Sequence, residues 1–258
     1  MRRFPHALPL AVLAIVVGVA TAAVALLVPW VPDAASEQAG RTDTLMWFLI
    51  WCSVAIFTGV GTVMLYAVWK FRAKPGDESD GPPMHGNTRL EIIWTVLPTI
   101  LLAVVAVWAY LVLAENEALA DDRIEVQVAA EQFAWTFRYP EQQVESGDLR
   151  IPVDRQVRLQ MRSKDVIHSL YVTEFRVKQD VVPGITTYLI INPTETGTYQ
   201  IICAELCGVG HGTMRARVIV MPQDEYDSWL EQASRQVSSE RAGADAPDTA
   251  AAATTTTP

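Results

Sequence analysis

The chain has 258 residues, of which 50% are hydrophobic and 19% charged. A soluble domain carries about 25% charged residues, so membrane segments are expected. Lys and Arg number 20 against 29 Asp and Glu, a net charge of -9, which excludes the basic field of a nucleic-acid binder, and 3 cysteines exclude a disulfide scaffold.

The first 36 residues admit two readings. Arg2 and Arg3 precede the apolar run Ala7 to Val28, and the small residues Ala34, Ala35 and Ser36 follow it. This pattern suits a secretory signal peptide or a retained membrane helix. Either leaves residue 37 outside the cytoplasm, and no cysteine nearby supports a lipid anchor. Residues 37–121 are predicted to form a transmembrane hairpin, with helices over about 45–69 and 92–114. Both runs are uncharged and long enough for a hydrocarbon core of about 30 Å, which takes roughly 20 helical residues. Lys70, Arg72, Lys74 and Arg89 accumulate in or beside the connecting loop 70–90, whereas Glu115, Glu117, Asp121 and Asp122 follow the second helix. Basic loops stay in the cytoplasm, so this loop is cytoplasmic and the chain after Ala114 lies outside.

From Arg123 the hydrophobic period changes to two. Ile124-Glu-Val-Gln-Val, Val157-Arg-Leu-Gln-Met, Thr187-Tyr-Leu-Ile-Ile, Thr198-Tyr-Gln-Ile-Ile and Met214-Arg-Ala-Arg-Val read as strands, and Ser146-Gly-Asp, Val182-Pro-Gly and Asn192-Pro separate them as turns. Residues 122–222 are therefore predicted to form a β-sandwich or barrel. A short helix is predicted over 223–237. The tail 238–258 has no large apolar residue and is expected to be disordered. The whole is a membrane-anchored all-β chain.

Chemistry concentrates in Cys203-Ala-Glu-Leu-Cys-Gly-Val-Gly-His-Gly-Thr-Met214, with a second imidazole upstream in Asp165-Val-Ile-His-Ser. Thiolate, imidazole and thioether together favour copper. One cysteine with two histidines and a methionine would make a mononuclear site. A second cysteine allows both thiolates to bridge two metals, each metal then needing one imidazole and one weaker ligand. Met214 can supply one weak ligand and a carbonyl between the cysteines the other. The pair could also form a disulfide outside the cytoplasm, or join His168 and His211 in a zinc site, which leaves Met214 idle. Cys52 lies mid-helix, where packing explains it.

Cys-x-Glu-x-Cys-x-x-x-His-x-x-Met with the upstream Asp-Val-Ile-His-Ser resembles subunit II of the haem-copper cytochrome c oxidases. The resemblance runs from about Leu45 to Val220. It implies a cupredoxin-like domain holding the dinuclear copper centre CuA, with two copper ions. By the same resemblance Cys203 and Cys207 bridge, His168 and His211 bind one copper each, Met214 binds one, and Glu205 gives its carbonyl oxygen. The Glu205 carboxylate would reach a magnesium or manganese ion shared with subunit I. Glu91, in Glu-Ile-Ile-Trp-Thr-Val-Leu-Pro98, would stand at the mouth of a proton-uptake path; its alternative is a favourable helix N-terminal charge. Lys178 and Asp180 match a stretch facing subunit I.

Glu131-Gln-Phe-Ala-Trp-Thr-Phe137 departs from the family's Gln-Trp-Tyr-Trp. Phe133 replaces the tryptophan where electrons enter and Ala134 the tyrosine, while Trp135 matches the second tryptophan. Phe133 and Trp135 are therefore the candidates for receiving electrons. Leu170 and Thr173 depart too, from an aromatic and a proline. The resemblance implies an aa3-type, proton-pumping oxidase of a bacterial plasma membrane. Its partners would be subunit I, other oxidase subunits and cytochrome c or a similar one-electron donor. The donor is a separate protein, because no Cys-x-x-Cys-His haem motif occurs. Three other functions are weighed against it: a quinol oxidase subunit, which lacks the copper ligands; a nitrous-oxide-reductase-like enzyme, which needs a large second domain; and a membrane-anchored copper carrier, which binds one ion.

Overall fold

The structure, a computed structural model, describes residues 6–73, 75–76, 81, 83 and 85–244. Arg2, Arg3, Lys74 and the part of the expected tail beyond residue 244 lie outside the described residues. The chain divides into two compact units, one of residues 1–32 and 40–115, the other of 33–39 and 116–258.

The first unit contains α1 (Ala7–Leu27), most of α2 (Glu37–Lys70) and α3 (Thr88–Asn116). Each is long and apolar enough to cross a membrane. The sequence placed the start of the second span near residue 45, whereas α2 starts at Glu37. The cause is a cap: the Ser36 hydroxyl accepts the Ala39 N–H at 3.1 Å, which satisfies one of the unpaired donors of a first helical turn. Asn87 does the same for α3, its Oδ1 accepting from Arg89 N–H at 3.1 Å and Leu90 N–H at 3.3 Å.

The second unit is a sandwich of strands β1 (Ile124–Glu131), β2 (Ala134–Tyr139), β3 (Val144–Ser146), β4 (Leu149–Pro152), β5 (Val157–Ser163), β6 (His168–Val172), β7 (Val177–Val181), β8 (Thr187–Ile191), β9 (Gly197–Cys203) and β10 (Arg215–Met221). They form two five-stranded sheets, ordered β3-β2-β1-β5-β8 and β4-β10-β9-β6-β7. Most pairs are antiparallel; β1 with β5 and β10 with β4 are parallel. Alternate residues turn inward, as a period of two requires: Val126, Val128 and Ala130 of β1, Val157, Leu159 and Met161 of β5, and Ala216, Val218 and Val220 of β10 are all buried. Each fully buried large aliphatic or aromatic side chain stabilises by about 1.5–3 kcal/mol.

A final helix, α4 (Gln223–Ala244), packs on this sandwich. Tyr139 lies edge-on to Trp229 at 5.1 Å, and the Arg150 guanidinium covers the same indole at 5.1 Å. The Tyr139 hydroxyl also donates to the Arg150 carbonyl at 2.8 Å. The sequence ended this helix at residue 237, but it continues to Ala244. Ser, Glu, Arg and Ala tolerate or favour helix there, and Ser238 and Ser239 donate back to the carbonyls of Ser234 and Gln236.

Candidate metal centre

Three neighbouring strands of the second sheet bring the chemistry together. His168 opens β6, Cys203 ends β9, and Met214 immediately precedes β10. The strands are held in register here: Ala204 N–H donates to the Ser169 carbonyl at 2.9 Å, and Cys203 N–H to the Met214 carbonyl at 3.2 Å. The remaining residues ride the loop from β9 to β10. That loop turns through His211 N–H to Gly208 O at 3.1 Å and Thr213 N–H to Gly210 O at 3.0 Å.

The ligating atoms of His168, Cys203 and Cys207 lie within 4.8 Å of one another. The two sulfur atoms are 3.8 Å apart, and both residues are free thiols. Cys203 Sγ lies 4.0 Å from His168 Nδ1 and 3.3 Å from the Glu205 carbonyl. Cys207 Sγ lies 3.8 Å from His211 Nδ1 and 3.7 Å from Met214 Sδ. Met214 Sδ is 3.2 Å from His168 Nδ1. Two thiols, two imidazole Nδ1 atoms, one thioether and one carbonyl thus converge on one pocket, so the donor set fits two soft-to-intermediate metal ions. His168 and Met214 are wholly buried, and Cys203 and Cys207 nearly so. Burial pushes the Cys207 thiol up to about 11, with Cys203 beside it adding to the effect. A metal ion reverses this by taking the thiolate.

Two supports are absent from the sequence reading. The His168 Nε2 faces Asp165 Oδ1 at 2.8 Å, which leaves Nδ1 directed at the sulfurs. Partial burial opposes the Asp165 charge, but hydrogen bonds from His168 and from the backbone N–H groups of Gln132 and Val166 outweigh it and hold the carboxyl at about 2. Gln132 also donates from Nε2 to the Cys207 carbonyl at 2.6 Å. The Asp-x-x-His spacing was the available signal for the first support. The second is a long-range contact with no local signature.

Phe133 sits beneath the ligand loop, half-buried. A Cβ on Gly210 would meet its ring at 2.5 Å, and one on Gly208, at a φ of 136°, at 3.2 Å. Glycine is required at both positions by this close approach. Trp135 is buried in the core, its ring edge-on to His168 with centroids 6.1 Å apart. Glu205 is exposed on the loop, Lys178 and Asp180 lie on β7, and Glu91 is exposed in the first turn of α3. Glu91 and Gly86 are close: a Cβ on Gly86 would meet Glu91 Oε1 at 2.5 Å.

The family model for the transmembrane domain of cytochrome c oxidase subunit II matches residues 24–112, and that for its periplasmic domain matches residues 142–221. The chain belongs to the cytochrome c oxidase subunit II family. It is 33% identical to cytochrome c oxidase subunit 2 of Synechocystis sp., over 77% of this chain and 74% of that protein. It is 32% identical to an alternative cytochrome c oxidase subunit 2 of Bradyrhizobium diazoefficiens, over 80% of this chain and 85% of the relative. The crystal structure of the periplasmic domain of subunit II from Bradyrhizobium japonicum covers 46% of this chain and 97% of its own, at 26% identity and a TM-score of 0.43. Membership in this family makes the chain a subunit of the haem-copper oxidase complex, membrane-anchored, with a cupredoxin-like domain outside the cytoplasm. The periplasmic domain of this family carries CuA, in agreement with the thiol and imidazole cluster of residues 168, 203 and 207.

Proposed function

We propose that this chain is the electron-accepting subunit of an aa3-type cytochrome c oxidase in a bacterial plasma membrane. It takes electrons from cytochrome c or a similar one-electron donor. It passes them to haem in subunit I, where oxygen reduction to water is coupled to proton pumping. The observation that carries this reading is the pair of cysteine sulfurs 3.8 Å apart, flanked by an imidazole Nδ1 on either side. A zinc site would use neither the thioether nor the carbonyl, yet both face the sulfurs.

In this reading Cys203, Cys207, His168 and His211 would hold the two copper ions, with Met214 and the Glu205 carbonyl as the weaker ligands. When bound, the copper pair supplies reversible one-electron storage. The chain's own contribution is immobility. Asp165 fixes the His168 ring, Gln132 holds the Cys207 carbonyl, and Phe133 supports the loop from below, so the donors keep one geometry in both oxidation states. Phe133, under the ligand loop, and Trp135, against His168, receive the incoming electron. The exposed Glu205 carboxylate is free to reach a magnesium or manganese ion shared with subunit I, a hard-ligand role. Glu91 admits protons at the cytoplasmic side.

Metal content and electron paramagnetic resonance of the full chain purified from membranes test this. The expected result is two copper ions per chain, with hyperfine structure from one electron shared over two nuclei. One copper per chain, a signal localised on one nucleus, or zinc in its place overturns the dinuclear reading.

A further inference from the structure

We propose that α1 is a permanent membrane helix, and that the segment Asp33–Ala39, which reads in the sequence as a processing site, is a structural strap of the β-domain. Two independent sets of contacts, one in each unit, carry this.

In the β-domain unit, the strap is used residue by residue. Ala35 N–H donates to the Glu174 carbonyl at 3.1 Å, and the Ala35 carbonyl accepts from Thr194 N–H at 3.1 Å. Ser36 bridges to Pro193 in antiparallel sense, and its hydroxyl donates to the Phe175 carbonyl at 3.0 Å. Glu37 N–H donates to Asn192 O at 3.0 Å, and Gln38 Oε1 accepts from Asn192 N–H at 3.0 Å. Ala35, Ser36, Gln38 and Ala39 are 3%, 4%, 2% and 0% exposed. The small residues are therefore explained by packing, and no processing enzyme is needed to account for them. A cut between Ala35 and Ser36 would create an ammonium group on a buried residue. That charge would sit at the N-terminus of α2, where the helix dipole is already positive.

In the helical unit, α1 is fitted to α2. Thr21 Oγ1 and Thr58 Oγ1 are hydrogen-bonded across the two helices at 3.1 Å. The two helices also run within packing distance at two glycines: a Cβ on Gly18 would lie 3.4 Å from Thr58, and one on Gly61 3.5 Å from Val17, both ordinary van der Waals contacts. Farther along, the Tyr66 hydroxyl meets His6 Nδ1 at 2.5 Å, and Tyr66 is 8% exposed. Small residues and interhelical polar pairs are the means by which helices associate in lipid. A signal sequence needs only an apolar run, a basic start and a small-residue exit. Removal of α1 would leave the Thr58 and Tyr66 hydroxyls on α2 without these partners in an apolar medium.

The full chain, tagged at its C-terminus and purified from membranes, decides the matter by mass spectrometry. Trypsin has no site between Arg3 and Arg41, so the retained helix and strap appear as one peptide spanning residues 4–41. Finding that peptide is the expected result, and a mature N-terminus anywhere in 28–40 overturns the proposal. The packing is tested separately in membranes with the Cys52→Ser chain carrying Thr21→Cys and Thr58→Cys, treated with diamide. Joining of peptides 4–41 and 42–70 by a bond that dithiothreitol cleaves is expected. A retained α1 that gives no such product overturns the interhelical fit.

Discussion

The candidate metal centre has two halves built on different principles. His168, Cys203 and Met214 belong to strands or stand at their ends, with exposures of 0%, 6% and 0%. Glu205, Cys207 and His211 ride a glycine-containing loop whose Leu206 and Val209 are 79% and 105% exposed. The strand half is fixed by sheet register and the surrounding core. The loop half gains nothing from its own exposed residues and is held from below by Gln132 and Phe133, in the turn between β1 and β2. Precision at a partly exposed site thus comes from a neighbouring turn on the other sheet.

The largest effect expected is from Cys203→Ser or Cys207→Ser, which removes a shared donor from either half. Loss of a group that only orients a ligand weakens metal binding about 10- to 100-fold, and loss of a ligating thiolate should exceed that. Copper content and the shared-electron signal, measured after dialysis against a chelator, should both disappear in each variant. Next comes Asp165→Asn, which acts on the strand half alone. Copper affinity by chelator competition should fall about 10- to 100-fold, while two ions still bind at saturation.

Gly210→Ala attacks the loop half, because the new methyl meets the Phe133 ring. Overpacking of this kind costs about 1–3 kcal/mol, read as a lowered midpoint in denaturant unfolding. Adding Phe133→Leu should recover part of the loss; a full additive loss would show that Phe133 is not the obstacle. The smallest effect is expected at a site outside both halves. Arg217 Nε lies 3.2 Å from Asp148 Oδ1, and this partner holds the Asp148 carboxyl below its ordinary range. A depressed folded-state pKa stabilises above the unfolded value and is lost as pH falls through the folded one. Arg217→Ala should therefore lower the unfolding midpoint slightly at neutral pH, converge with the parent under acid, and leave copper binding unchanged.

Much of this was legible in the residues. The two uncharged runs after residue 45 gave α2 and α3, because hydrophobicity alone specifies a membrane helix. The alternation in β1, β5 and β10 gave a sandwich, and soft-ligand spacing pointed to the residues that cluster as His168, Cys203 and Cys207. Three features escaped for physical reasons. The first turns of α2 are polar and become helical through the Ser36 cap, which also satisfies a β-domain carbonyl. The strands β2, β3, β4, β6 and β7 were not read as strands: β3 and β4 are too short for a period to register, and β6 is buried on both faces, so it shows no alternation. The grip of Asp165 on His168 and of Gln132 on the loop depends on how β1, β2 and β5 meet in space, and sequence spacing carries that only for the Asp165 pair.

The parallel pairing of β10 with β4 bears on how the domain assembles. Val218 pairs with Leu149, so this pairing closes a long loop, the slow kind of contact in folding, whereas the pairing of β10 with β9 is local. Met214 adjoins β10 and Cys203 ends β9. The pairing of β9 with β10 gathers Cys203, the loop donors and Met214 locally, and His168 joins them through the pairing of β6 with β9. Metal capture and completion of the sheet are then linked: an ion that binds the closed form alone raises its stability by mass action, and copper should leave the chain in the same transition that frees β10.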